Sequence, residues 1–100
     1  MSKNEKIQLI HPEGKNAPRI SMYNYEIFSE AIIQTLSVHQ SLTLSDIAEY
    51  VGVYLAKNNI EFNGSVEWFT VSVKQHLEAE KVIIVDIVKG RKMHRLSETV

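Results

Sequence analysis

The chain has 100 residues, 44% apolar and 23% charged, with a formal net charge of −1; this balance fits one modest folded core and excludes a wholly disordered chain. It contains no cysteine, which removes disulfides, thiolate metal sites and a cysteine nucleophile. No apolar run nears the ~18 residues of a membrane span, and MSKNEKIQLIHPEG lacks the apolar centre of a secretory leader, so a cytoplasmic protein without membrane contact is expected.

KIQLIH, residues 6–11, alternates Ile7 and Leu9 with polar neighbours and predicts a short strand. HPEGKNAPRI follows, with two prolines and Gly14, and reads as a loop. A helix is expected over 22–39, capped by Ser21 or Asn24, with Glu26 and Glu30 suiting the positive end of its dipole. Tyr25, Phe28, Ile32 and Leu36 form its apolar stripe. Leu42 and Leu44 suit a very short strand. The second helix then starts at the N-cap Thr43, with Asp46 as a short capping-box acid. Ile47, Ala48, Val51 and Leu55 face inward, and Asn58-Asn59 end the helix. Ile60 and Phe62 are expected to tuck into the core.

Asn63-Gly64-Ser65 leads into a third helix over 65–80. With Val73 at the centre of its inner face and ~100° per residue, Val66, Phe69, Thr70 and Leu77 fall within about 60°. Trp68, Val71, Gln75 and Glu78 then face outward, with Glu67 and Lys74 beside them. VIIVDIV, 82–88, is rich in β-branched residues and predicts a strand. KGRK, 89–92, reads as a four-residue turn and MHRL, 93–96, as the return strand. That loop sets Asp86 opposite Arg95, Val88 opposite Met93 and Val85 opposite Leu96, pairing opposite charges and apolar partners.

These elements predict an α+β domain over residues 1–100, with 1–5 and 97–100 frayed. Three helices followed by a β-hairpin resemble the winged helix-turn-helix. Val73 and Leu77 followed by EAEKVI resemble that fold's passage from last helix to wing, although many members carry Gly near the position of Lys81. HPEGKNAPRI, LTLSDI and GSVEWFTVSVKQHLEAEKVI are also similar to a small uncharacterised bacterial family of stand-alone winged-helix proteins. That resemblance covers about residues 8–96 and implies a fold and a bacterial source, but no chemistry.

Charge is unevenly distributed: residues 20–64 carry −4 and 81–95 carry +4. Lys89, Arg91, Lys92 and Arg95 suit a hairpin laid against DNA phosphates; a solvated tip charged against edge pairing is the plainer alternative. On the third helix Lys74 and Gln75 are candidates for DNA contact, while Glu67 and Glu78 oppose it. Trp68 and Val71 are candidates for a protein interface, homodimeric in the first instance; packing into the core is the alternative. His11, Glu13, Lys15 and Arg19 could gather around an anion, or simply belong to a structural loop. His11, His39, His76 and His94 lack metal-ligand spacing, and no nucleotide or nucleophile motif is present. A metal, a cofactor, a small-molecule ligand and catalysis are therefore not expected. Two functions remain: a small regulator binding double-stranded DNA mainly through a basic wing, and a self-associating protein-interaction module.

Overall fold

Each helix begins on a hydroxyl. The Oγ atoms of Ser21 and Ser65 accept from the backbone N–H groups of Asn24 and Trp68 at 3.0 Å, and Thr43 Oγ1 accepts from that of Asp46 at 3.3 Å. Each cap satisfies an amide the helix cannot satisfy itself, for about 1 kcal/mol. The computed structural model describes residues 5–97. The order is β1 (Lys6–Gln8), β2 (Arg19–Ser21), α1 (Met22–Val38), α2 (Leu44–Lys57), α3 (Val66–Ala79), β3 (Ile83–Val88) and β4 (Arg91–Leu96). The molecule is α+β, with two antiparallel two-stranded ribbons around three mutually packed helices.

The α2 and α3 C-termini use the same backbone device. Ile60 N–H donates to Leu55 O and Asn59 N–H to Ala56 O; Val82 N–H donates to Leu77 O and Lys81 N–H to Glu78 O. Both ends are Schellman turns, and their C′ residues Asn59 and Lys81 take φ of 55° and 68°. Asn tolerates that left-handed conformation, whereas Lys is strained in it.

Phe28, Ile32, Ile47, Val51 and Val73 are fully buried and meet where the three helices converge. Phe62 and Phe69 close one end of this core, with ring centroids 5.0 and 5.3 Å from that of Phe28. Phe28, Ile32 and Leu36 of the expected α1 stripe and Ile47, Val51 and Leu55 of the α2 stripe are buried, while Tyr25 and Ala48 are half-buried; Ile60 and Phe62 pack on the core.

Four expectations need correction. The loop at 11–20 contains a strand: β1 is shorter than 6–11 and pairs with β2, setting Ile7 opposite Ile20. Gly14, at φ 76°, and the bond from its N–H to His11 O close the turn at the near end of the connection. Glu26 lies beyond the first turn of α1, which holds no acid, so its interaction with the dipole is weak. Glu5 and Ser97 are not frayed: Glu5 O accepts from Met22 N–H, and Ser97 N–H donates to Val82 O. The other residues expected to fray lie outside the described part.

The C-terminal hairpin turns on two residues, Lys89 and Gly90, rather than four. Both have positive φ, as a type I′ turn requires, and its twist matches that of the flanking strands. Val88 therefore faces Arg91, Asp86 faces Met93 and Ile83 faces Leu96. The register differs from the expected one by two residues, so each side chain keeps its face. Asp86 and Arg95 become diagonal neighbours and still meet, Arg95 Nε donating to Asp86 Oδ2 at 2.7 Å.

The hairpin is fixed to the body at His94. Leu42 and His94 exchange backbone hydrogen bonds of 3.1 and 2.7 Å. The His94 ring adds a third, Nδ1 to Leu42 O at 3.0 Å. A carbonyl only accepts, so Nδ1 carries the proton and a neutral ring presents a lone pair at Nε2. Nε2 is buried without a hydrogen-bond partner, as is Thr70 Oγ1. Burial pushes the His94 imidazole below its usual value; the bond to Leu42 and Glu78 oppose this, and Lys74 and Lys92 reinforce it.

Lys81→Gly should raise stability by about 1 kcal/mol, because glycine takes the left-handed C′ position without strain. A urea midpoint unchanged or lowered at constant m-value would contradict this account of the α3 terminus. The neutral state of His94 makes a second prediction. Its contribution to stability is complete above the unfolded pKa of ~6.5 and is lost as pH falls from there through the lower folded value. The slope from this one group is at most about 1.4 kcal/mol per pH unit. His94→Gln should flatten the fall in urea midpoint between about pH 7.5 and 5.5; an unaltered slope would show that His94 does not carry it.

Candidate functional site

The hairpin tip and the outer arc of α3 carry the residues singled out from the sequence. On the hairpin, Lys89, Arg91 and Lys92 are exposed, and none enters an ion pair among the described residues. Arg95 differs: it stands part-buried nearer the hairpin base, bonded to Asp86. Its charge is thus largely balanced within the hairpin. The two-residue turn moves Arg91 and Lys92 from the turn into β4, where their side chains leave opposite faces of the ribbon.

The outer arc of α3 is narrower than helical spacing suggests. On one flank, Ile10 N–H donates to His76 Nδ1 at 3.0 Å, and the His76 ring sits edge-on to Tyr25 with centroids 5.3 Å apart. His76 Nε2 faces Glu80 Oε1 at 3.4 Å. The segment after β1 thereby covers that side of the helix, and His76 is packed.

On the other flank stands Lys74, and here the expectation fails. Lys74 does not lie beside the outward face; it is 8% exposed, and its Nζ lies 3.2 Å from Glu78 Oε2. A lysine about 100° from the helix's inner centre is covered when a second element closes over that side. The hairpin is that element, since Lys74 and Glu78 both act electrostatically on His94. The pair one turn apart neutralises a charge that would otherwise be buried alone.

What remains open on α3 is Glu67 and Trp68, with Val71, Gln75 and Glu78 half-buried. Trp68 is 47% exposed. It is not loose: its ring edge packs on Phe69 at 4.8 Å. Among these outer residues there is no unpaired cation. The arc is acidic and aromatic, the opposite of a helix that lies along phosphates.

At the N-terminal loop, Lys15 Nζ lies 3.2 Å from Glu13 Oε1, both well exposed. His11 Nδ1 accepts from Glu13 N–H at 3.0 Å. Lys15 holds the Glu13 carboxyl below its ordinary value, helped more weakly by His11 and Lys92. The loop therefore lies within electrostatic reach of the hairpin. Arg19 is exposed on β2 and no contact joins it to this group. Of the two readings of this segment, the four-residue anion cluster is thus not assembled.

Two features escaped the sequence reading. Ile87 and Val88 are 66% and 48% exposed at the hairpin tip, although their β-branched chemistry suggested a packed strand. Between α1 and α2, Val38, Tyr50 and Val53 are 69%, 38% and 56% exposed. The signal for the second was present: α2 carries apolar residues on a face that Ile47, Val51 and Leu55 do not use.

Among the described residues no three His, Asp or Glu side chains converge as a metal site, and no helix is long and apolar enough to cross a membrane. A family model described as a family of unknown function, DUF6958, matches residues 6–93, and the chain belongs to that family. No curated protein and no solved structure matches it.

Proposed function

We propose that this DUF6958 member is a non-enzymatic winged helix-turn-helix protein that contacts double-stranded DNA through its hairpin, as a small transcriptional regulator. The order of three helices and a hairpin supports the architecture, as does the bridge from Leu42, ahead of α2, to β4. The observation that carries the DNA reading is the cluster of three unpaired cations, Lys89, Arg91 and Lys92, at the end of the hairpin. Phosphate contact needs such mobile, solvated charge. Lys74 and Arg95 leave the contact set, because each is already held by a carboxylate. Gln75 stays in it as the polar, uncharged group on the open arc of α3. With Glu67 and Glu78 on that arc, binding rests on the backbone of the duplex and carries little sequence information.

Three phosphate contacts give a log–log salt slope of about −2.7, so affinity falls roughly 40-fold between about 50 and 200 mM salt. Fluorescence anisotropy with a labelled duplex should show that slope for the wild type. It should be lost in a variant carrying Lys89→Ala, Arg91→Ala and Lys92→Ala, and retained in Lys74→Gln. No binding at the lowest salt, or equal binding by the triple variant, would end this reading.

The exposure of Trp68 favours a second reading, self-association through the strip formed by Trp68 and Val71. A half-exposed tryptophan fixed by an edge contact is preorganised as an anchor. In that case Trp68→Ala should weaken association by tenfold or more in sedimentation experiments, while DNA affinity per monomer is unaltered. A Trp68→Ala protein that associates like the wild type would remove this strip as the interface.

A further inference from the structure

Neither reading uses the groove between α1 and α2. It is open, about 190 Å³ in volume, and its lining includes Val38, His39, Tyr50, Val53, Tyr54 and, as its single charged side chain, Lys57. Tyr50 is not free to turn away, since its ring stacks on that of His39 at 4.2 Å. Val38 and Val53 are apolar and of the β-branched type whose helix propensity is lowered, yet both stand more than half exposed.

No carboxylate lines the groove itself, but three stand around it and outnumber Lys57. Asp46 and Glu49 are exposed and fall within about 40° of Val53 around α2. Glu30 lies near Tyr54, whose phenol is raised by burial and then by that carboxylate. None of the three acids enters an ion pair among the described residues. Residues 22–57 hold four carboxylates against the single cation Lys57.

The hairpin tip has the complementary surface. Its cations alternate with apolar side chains across the ribbon, Ile87 facing Lys92 and Val88 facing Arg91. Acids around a partly apolar groove correspond to cations interleaved with an apolar tip, and both surfaces are otherwise uncovered.

We propose that the hairpin tip of one copy seats in the α1–α2 groove of a second copy, Ile87 and Val88 against Val38, Tyr50 and Val53, and the tip cations against Glu30, Asp46 and Glu49. The contact joins two different surfaces, so each bound copy still offers one tip and one groove. Assembly runs head to tail and either closes into a ring or grows as a short chain. A tip of six residues makes an interface of the small, transient class, dependent on ionic strength. DNA and a second copy compete for the same cations, but the assembly does not depend on DNA being bound.

Sedimentation velocity across a concentration series, at low and high salt, tests this with charge reversals. One variant carries Arg91→Glu and Lys92→Glu; the other carries Glu30→Lys and Glu49→Lys. The wild type should gain mass with concentration at low salt and lose it at high salt. Each variant alone should associate at least tenfold more weakly. Their equimolar mixture should recover association, because the reversed tip then meets the reversed groove. Trp68→Ala should associate like the wild type. Far-UV circular dichroism confirms that each variant is folded, and Lys92→Glu with Glu49→Lys serves as a milder pair where one is not. A wild type monomeric throughout, or a mixture no heavier than its components, overturns the proposal. DNA anisotropy at dilute protein reads the other function separately.

Discussion

Leu42 and His94 hold the hairpin against the helices through two backbone hydrogen bonds and one from the imidazole. A two-stranded ribbon by itself is marginal in water. Here the Leu42 bridge gives β4 a second neighbour, and Ile83 and Leu96 at the ribbon's base pack on the core. The histidine is more than a filler at this point. An apolar residue would leave the Leu42 carbonyl with one bond fewer. A cationic residue would be repelled by Lys74 and Lys92. Neutral imidazole satisfies the carbonyl and leaves one orphan lone pair.

The same junction determines what the molecule can present to a partner. With the hairpin anchored over one flank of α3, Lys74 is covered and pairs with Glu78. On the opposite flank the segment after β1 is fastened by Ile10 to His76. Both contacts hold polar side chains of α3 away from solvent. Positive charge is thus withdrawn from α3 and concentrated at the hairpin tip, while acids gather on α1 and α2. A protein with a net charge of −1 thereby acquires separate surfaces of opposite sign.

The sequence announced the helices well because each apolar stripe repeats at helical spacing between a hydroxyl cap and a terminating residue. Phe28, Ile32, Ile47, Val51, Val73 and Leu77 were all legible as core. β2 was not legible: Arg19-Ile20-Ser21 is three residues long and follows a proline, so local pattern favours a loop. Its strand character comes from β1, a partner more than ten residues away. The hairpin loop was misjudged because Lys89 is an uncommon residue for a left-handed turn position. Lys74 was misplaced for another reason: helical spacing fixes an angle around the axis, not which neighbour covers that angle. Trp68 was legible as outward-facing, whereas Tyr50 and Val53 passed unnoticed because the inner face of α2 already seemed complete.

The two-residue turn leaves the outer half of the hairpin unsupported, since its last fixed points are His94 and the bond between Asp86 and Arg95. Beyond them the ribbon is a cantilever that no core residue holds in place. Adding one residue to each strand at the tip would lengthen its reach by about 3.4 Å without moving any anchored residue. The span of this arm can therefore drift among relatives while the body that carries it stays constant.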